Sequence, residues 1–216
     1  SIDTFAHADH RGAKYFVSVM NASGGEVMNT ELLVVHDGSA AYVTTYNEHS
    51  SGNTGAASTD VLATFTAAIS GDNVVVSASG LDTNLRIHMY RILLADDQSA
   101  SSSTNVNVIS AVTVSSSATL IDSFNTSTYA AAHYIIIGTK SNNSCIMEAT
   151  VISDGTTASI SEGPQVSTEE TPMLNLTVNQ VSATAVVQAS ATSGGSTTVN
   201  AYRIHIPVPA GTQFTE

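Results

Sequence analysis

A series of short phrases occurs twice in this sequence, in the same order, and the repeat constrains the fold more than any other feature. The distance between the two occurrences falls from 119 residues at the first phrase to 112 at the last. Such shortening is expected when surface loops lose residues between strands that keep their pairing. We therefore predict two tandem copies of one module, an organisation typical of assembly or spacer proteins. The phrases Ile-Asp-Thr-Phe, Ala-Lys-Tyr-Phe-Val, His-Asp-Gly and Tyr-Arg-Ile start at residues 2, 13, 36 and 90, and their counterparts start at 121, 132, 153 and 202.

The length of 216 residues suits two domains of ordinary size, each of which could bury its own core. Hydrophobic residues make up 42% of the chain, which argues against disorder. A polar, Ser-rich stretch divides the copies and is typical of a linker. The predicted domains are residues 1–98 and 105–216, joined by a linker at 99–104.

Short runs of β-branched and aromatic residues, separated by turn sequences, predict strands throughout the chain. Asp37-Gly38 and Asp154-Gly155 lie between two such runs, and Asp-Gly is a strong hairpin signal. Residues 41–46 alternate, so that Ala41, Val43 and Thr45 should share one face of a strand. No helical periodicity extends over a useful length. The predicted fold is all-β, with two tandem antiparallel β-sandwich domains of jelly-roll or immunoglobulin-like type, related by internal duplication.

The second copy is preceded by an additional strand-like segment, residues 105–114, which has no equivalent before the first copy. A sheet edge that lacks a strand exposes unpaired backbone groups, which proteins normally cover. We therefore predict that the corresponding edge of the first module is completed by another subunit or by a distant segment of the chain itself. The alternative is a first module that simply has one strand fewer.

Charge and cysteine content exclude several classes of function. The net charge is −12, with 18 acidic and 6 basic residues, so the chain cannot supply the basic surface that nucleic acid or an anionic membrane requires. The only cysteine, Cys145, lies in an apolar stretch and is expected to be buried. Because the chain begins at Ser1, we expect either that an initiator Met was removed or that the sequence is a processed or truncated piece.

Seven histidines raise the question of a metal site. His7 and His10 flank Asp9, a spacing that could bring two imidazoles and a carboxylate to one ion. The second copy has Asn-Thr-Ser-Thr at this place, so we interpret the segment as a polar loop and expect no metal or cofactor. The other histidines are expected on sheet faces or interfaces; they are His36, His49, His88, His133 and His205.

No catalytic set is visible. Glu31, Glu48, Glu148 and Glu162 are candidates for a pair of glycosidase carboxylates, but any β-protein offers some. Glu31 and Glu148 occupy equivalent places in the repeat, which favours a structural role. The sequence also lacks a Gly-x-Ser-x-Gly elbow and a Gly-rich phosphate loop. We predict no catalytic residues and no enzyme activity.

The phrases of the first copy resemble a module found in structural proteins of tailed bacteriophages of marine cyanobacteria. The similarity lies in residues 2–5, 11–19, 30–38, 41–46 and 69–76, and it covers nearly all of the first copy. In the second copy the order of phrases is kept but their residues differ. The resemblance implies a component of a virus particle, assembled in the host cytoplasm: a tail, fibre, baseplate or capsid-surface protein.

The predicted function is that of a non-catalytic virion protein that forms homo-oligomers and docks on other virion proteins. Two alternatives to this function stay open. One is a host-attachment module that binds surface glycans, which requires a shallow groove with exposed aromatic side chains. From the sequence, the candidates for that platform are Tyr42, Tyr46 and Tyr129. The other, placed last, is an enzyme of glycoside-hydrolase type.

Overall fold

The computed structural model describes residues 1–21, 25–51, 61–80, 84–95, 106–169, 171–192 and 194–208, with only the backbone of residues 106 and 107. About 75% of the described residues lie in strands and none lie in a helix. The all-β prediction is therefore confirmed. The antiparallel sheets are consistent with a β-sandwich.

Seven strands precede residue 96, and together they are called the first module. They begin and end close to the predicted runs, with an additional short strand at the start of the chain. The strands are β1 (Asp3–Ala6), β2 (Gly12–Asn21), β3 (Val27–His36), β4 (Ala41–Ser51), β5 (Ala63–Ser70), β6 (Asn73–Gly80) and β7 (Leu85–Leu94).

Eight strands follow residue 105, and together they are called the second module. They are β8 (Val106–Val114), β9 (Thr119–Asn125), β10 (Tyr129–Lys140), β11 (Asn143–Ser153), β12 (Ala158–Ser167), β13 (Leu174–Val181), β14 (Thr184–Ala191) and β15 (Thr197–Pro207).

Each module has a three-stranded sheet and a larger sheet, and the strand orders correspond. In the first module the orders are β1-β6-β5 and β4-β3-β2-β7. In the second they are β9-β14-β13 and β12-β11-β10-β15-β8. Apart from β8, every strand occupies the place that the sequence repeat assigns to it. The shared order supports duplication, which stays a prediction.

The chain divides into two compact units. One contains Ser1–Ala95, Asn142–Ile146 and Pro164–Glu170, and the other contains Asp96–Ser141, Met147–Gly163 and Thr171–Glu216. The predicted linker at 99–104 lies outside the described residues, so the domain bounds stay predictions.

Both sheets of the first module contribute to one hydrophobic core. Phe5 of β1 and Val74 of β6 are buried in the same cluster as Tyr15 of β2 and Leu32 of β3. Ala41 and Val43 of β4 pack against this cluster, as the alternation of residues 41–46 predicts. The second module buries the matching residues Phe124 and Tyr134, and Cys145 is buried as expected.

The Asp-Gly hairpins have the same geometry in both modules. Gly38 and Gly155 adopt φ of 92° and 90°, in the left-handed region that glycine tolerates best. Asp37 Oδ1 accepts hydrogen bonds from the backbone N–H groups of residues 39 and 40. Asp154 Oδ1 does the same for residues 156 and 157. Burial alone would raise the pKa of Asp37, but the hydrogen bonds outweigh it and lower that pKa. At Asp154 the hydrogen bonds are the largest influence, and they also hold the pKa below its usual range.

No helix long and apolar enough to cross a membrane occurs among the described residues.

Candidate functional site

An aspartate, a tyrosine and an arginine connect the two sheets of the first module. Tyr15 and Arg91 lie opposite each other on β2 and β7 of the larger sheet, while Asp3 lies on β1 of the smaller one. The Tyr15 hydroxyl donates to Asp3 Oδ2 at 2.9 Å, and Arg91 Nη1 donates to the same oxygen at 2.5 Å. Burial, followed by the bond to Asp3, raises the pKa of Tyr15, so the tyrosine remains a hydrogen-bond donor.

The second module contains the same three residues in the same places. The Tyr134 hydroxyl donates to Asp122 Oδ2 at 2.8 Å, and Arg203 Nη1 reaches both carboxylate oxygens of Asp122 at 2.5 and 2.6 Å. Tyr134 and Arg203 are again cross-strand partners. We call each set of three a sheet clamp. The clamps were not among the predicted features, although each member lies within one of the repeated phrases.

The carboxylates named as glycosidase candidates have structural partners. Glu31 binds the ammonium group of the buried Lys14 and accepts a hydrogen bond from Asn47 at 2.9 Å. Glu162 Oε1 accepts from the backbone N–H of Leu176, and Glu148 lies 3.9 Å from His133 Nε2. Burial alone would raise the pKa of Glu31, but the bonds from Lys14 and Asn47 outweigh it and lower that pKa. Glu48 is exposed on β4.

The histidines of the predicted polar loop lie near His36. The ring centroid of Phe5 lies 6.5 Å from that of His10 and 6.4 Å from that of His36. The ring centroids of His7 and His36 are 5.8 Å apart. Within the described part of the chain, no group of three or more His, Cys, Asp and Glu side chains is arranged to hold a metal ion.

His36 is buried at the end of β3, and two backbone contacts fix its tautomer. Its Nε2 lies 2.6 Å from the carbonyl oxygen of His10 and donates to it, while Nδ1 accepts from the Gly38 N–H at 3.0 Å. A second proton on Nδ1 would point at the Gly38 N–H. Burial lowers the pKa of His36, whereas the hydrogen bond to the His10 carbonyl would raise it. The positive charge of Arg11 adds to the lowering. In the second module Ser153 Oγ accepts from Gly155 N–H in the same position.

A concavity of about 640 Å³ lies on the face of the larger first-module sheet that points away from the core. Its floor crosses all four strands, β4-β3-β2-β7. Phe16 lies opposite Tyr90 on one side and Glu31 on the other, which makes one row across the sheet.

A second, polar row lies beside the first in the same concavity. Ser18 of β2 is opposite His88 on β7 and opposite Asn29 on β3, and Asn29 is in turn opposite His49 on β4. The histidines expected on sheet faces therefore include two that line a surface depression.

The aromatic side chains of this concavity differ from those predicted. Phe16 is 44% exposed and Tyr90 is 68% exposed, with ring centroids 6.4 Å apart and planes inclined at 39°. Of the predicted platform residues, Tyr46 binds Lys14, and Tyr129 stacks on His205 at 3.9 Å. Tyr42 is exposed but does not line the concavity. None of Tyr42, Tyr46 and Tyr129 lines this concavity, and their role as a glycan platform stays a prediction.

The larger sheets of the two modules differ at the edge next to the strand that carries the clamp arginine, which is β7 in the first module and β15 in the second. In the second module β8 pairs with β15 from Thr197↔Val114 to Ile204↔Val106. In the first module β7 is the last strand, and no described residue pairs with its outer edge. The additional strand predicted before the second copy therefore exists, and it covers the outer edge of β15.

Comparison with known proteins gives no assignment: no family model matches the chain, and neither a curated protein nor a solved structure matches it.

Proposed function

We propose that this protein is a non-catalytic structural component of a tailed-bacteriophage particle, which acts by self-association and by docking on other virion proteins. The phrases of residues 11–19 and 30–38 support the virion class by resemblance. The outer edge of β7, beside which the structure describes no further strand, carries the proposal of self-association.

The core beside β7 is incompletely covered compared with the core beside β15. Ile87 and Met89 pack against the first-module core but are only partly buried. Their counterparts in the repeat, Val199 and Ala201, are fully buried on a strand that β8 covers. A further strand beside β7 would bury apolar surface and pair backbone groups, which are the two favourable terms in strand addition.

The other end strands of the larger sheets have features that discourage pairing. β4 contains a register shift and Asn47 with φ of 51°, β8 contains Ala111 with φ of 53°, and β12 contains Pro164. Bulges and prolines protect sheet edges in this way. Residues 85–94 contain no proline, no glycine, no positive φ and no register shift against β2.

We commit to a second copy of this chain as the occupant, with β7 pairing antiparallel to β7 about a two-fold axis. A two-fold axis uses the same surface on both subunits and makes the two strands antiparallel. A pair centred on Met89 and confined to residues 86–92 places Arg86 opposite the partner's Ile92 and Arg91 opposite the partner's Ile87, so like charges are not opposed. Arg91 is already neutralised by Asp3.

The test is the molar mass of the full chain by sedimentation equilibrium, with substitutions at the two edges of one sheet. Ile87→Lys places an ammonium group at the core-facing rim of β7 and should abolish the dimer. Val43→Lys is the matched control, because Val43 is likewise partly buried on an end strand of the same sheet. It should leave the dimer intact. A monomeric wild-type chain at all concentrations, or equal effects of both substitutions, would contradict the pairing.

Salt dependence separates this joint from one made by ion pairs. Main-chain pairing with apolar burial is hardly screened, so the dimer dissociation constant should change little between low and high salt. A dimer that dissociates as salt rises would instead indicate an ionic interface.

The virion class has its own test. Mass spectrometry of density-purified cyanophage particles should find peptides of this protein, and they should remain after a high-salt wash. Peptides found only in infected-cell lysate, and never in purified particles, would contradict the class while leaving the β7 dimer untouched.

A further inference from the structure

We propose that the concavity on the outer face of β4-β3-β2-β7 binds a neutral oligosaccharide. This is a binding function beyond self-association, and its evidence is independent of the β7 edge. It rests on the exposed aromatic row, the polar row beside it, and the absence of basic side chains from the lining.

The aromatic row offers a stacking surface. Phe16 and Tyr90 expose 44% and 68% of their surface on neighbouring strands, although exposed rings contribute little to the stability of a sheet. Adjacent exposed apolar groups at the surface of a protein commonly mark a site of interaction. A pyranose ring has an apolar C–H face and a hydroxyl edge, and the C–H face suits the electron-rich face of an aromatic ring.

The polar row supplies groups that match hydroxyls. The Ser18 hydroxyl and the Asn29 amide can each donate and accept hydrogen bonds, and the ring nitrogens of His49 and His88 add further hydrogen-bonding groups. Sugar hydroxyls also donate and accept, whereas phosphates and carboxylates only accept. Glu31 adds an acceptor at the end of the aromatic row, since its carboxylate is held by Lys14 and Asn47.

Charge selects a neutral ligand over an acidic one. None of the residues that line the concavity is Lys or Arg, and Glu31 is a carboxylate. The whole chain carries −12. Because Lys14 already pairs with the Glu31 carboxylate, it is the net charge of the chain and a described lining without Lys or Arg that disfavour a sialylated or uronic-acid glycan.

Size and shape agree with a short chain of sugars rather than a single ring. The volume of about 640 Å³ lies within the range of about 300–1,000 Å³ typical of small-molecule sites. Four strands spaced about 4.8 Å apart make a floor about 14 Å long. We expect the ligand to lie across the strands, with one sugar over the aromatic row.

The second module lacks the same surface. The repeat places Ile135, Ile137 and Ile146 at the positions of Phe16, Ser18 and Asn29, and all three isoleucines are buried. The module sequences therefore differ where the site lies, although the clamps are the same. We expect one glycan site per chain.

The experiment is isothermal titration of the full chain with triacetylchitotriose, cellotriose and maltotriose, and with 3′-sialyllactose as the acidic probe. At least one neutral trisaccharide should bind at millimolar concentration or below, and sialyllactose should not. Tyr90→Ala and Phe16→Ala should each weaken binding at least about tenfold, which corresponds to about 1.4 kcal/mol. Tyr42→Ala, which removes an exposed tyrosine of the same sheet outside the concavity, is the control and should leave affinity unchanged.

Three outcomes would overturn the proposal: no binding of any neutral trisaccharide at millimolar concentration, tighter binding of sialyllactose, or affinity that survives both Tyr90→Ala and Phe16→Ala. Circular dichroism and an unchanged unfolding midpoint establish that each variant is folded. We expect both variants to fold, because the side chains of Phe16 and Tyr90 are exposed. The monomeric Ile87→Lys variant tests sugar binding independently of the dimer. The side chains that line the concavity project from the face of the sheet, whereas the dimer pairs backbone groups at its edge. Its affinity for the sugar should equal that of the wild type.

Discussion

In the clamp Asp3-Tyr15-Arg91 and in the clamp of the second module, the tyrosine and the arginine both donate to the aspartate, but the two clamps differ in their exposure to solvent. The Arg91 side chain is 35% exposed and that of Arg203 is 8% exposed. The strand beside the arginine accounts for the difference, because β8 pairs with β15 at Arg203, while no described strand pairs with the outer edge of β7. With no described strand beyond β7, both the clamp and the adjacent core of the first module are more exposed than their counterparts in the second module.

The comparison shows which parts of the module are required for folding and which vary. Both modules keep the clamp and the Asp-Gly hairpin, which join the two sheets and turn the chain between strands. They differ at the sheet edge and on the outer face, where nothing in the sandwich requires a particular residue. Surfaces that vary on a constant framework are where function is expected.

The largest predicted effect is on the clamps. Asp122→Asn leaves the buried guanidinium of Arg203 without its counter-charge and should lower the free energy of unfolding by about 3–5 kcal/mol. Asp3→Asn should cost only about 1 kcal/mol, because water can solvate the more exposed Arg91. Urea unfolding of both variants measures the difference.

A double variant provides the control for the clamp. Asp122→Asn combined with Arg203→Met removes both charges, and it should recover part of the stability lost in Asp122→Asn alone. Equal losses for Asp3→Asn and Asp122→Asn would show that the open edge of β7 does not expose the first clamp.

The positions of the strands and hairpins were predictable because their signals are local. β2, β3, β5, β6 and β7 coincide with apolar runs, and Gly38 and Gly155 have positive φ at the predicted turns. Turn chemistry and the alternation of side chains act over a few residues, so one sequence suffices to find them.

The clamps were harder to predict because their members are far apart in sequence. Asp3 and Arg91 are separated by 88 residues and come together only when the two sheets pack. A signal nevertheless existed: each clamp residue recurs in a repeated phrase, and a polar residue that recurs among apolar ones suggests a buried partner.

The aromatic side chains of the concavity were missed for a different reason. Tyr15 and Phe16 are neighbours in a run in which both faces are apolar, so alternation does not show which ring is buried. The structure buries Tyr15 completely and exposes Phe16. Tyr90 was hidden in the same way within the apolar run of β7.

A smaller predicted effect concerns pH and the residue before the Asp-Gly pair, which is His36 in one module and Ser153 in the other. Because burial lowers the pKa of His36, the unfolded chain binds a proton more readily than the folded chain as pH falls below about 6.5. Stability should therefore be lost as pH falls from 7 toward the lowered pKa, and it should be regained as pH rises.

The matched variant for this effect is His36→Ser, which copies the second module. Ser153 shows that a serine hydroxyl can accept the hydrogen bond from the glycine N–H in this turn. Thermal unfolding of wild type and His36→Ser at pH 7 and pH 5.5 should show a smaller loss on acidification in the variant. His205, whose pKa burial also lowers, leaves a residual pH dependence in both proteins. An identical pH dependence in the two proteins would exclude His36 as the source.

The smallest predicted difference is at the hairpin glycines, where the modules should behave alike. Gly38→Ala and Gly155→Ala both place a side chain at φ near 90°, and neither added Cβ meets an atom within 4 Å. The cost is therefore backbone strain alone, about 1–2 kcal/mol for each substitution. Chemical unfolding should give equal losses within error. Unequal losses would show that the two hairpins, in which the aspartate accepts the same two backbone N–H hydrogen bonds, differ in how strongly their surroundings fix them.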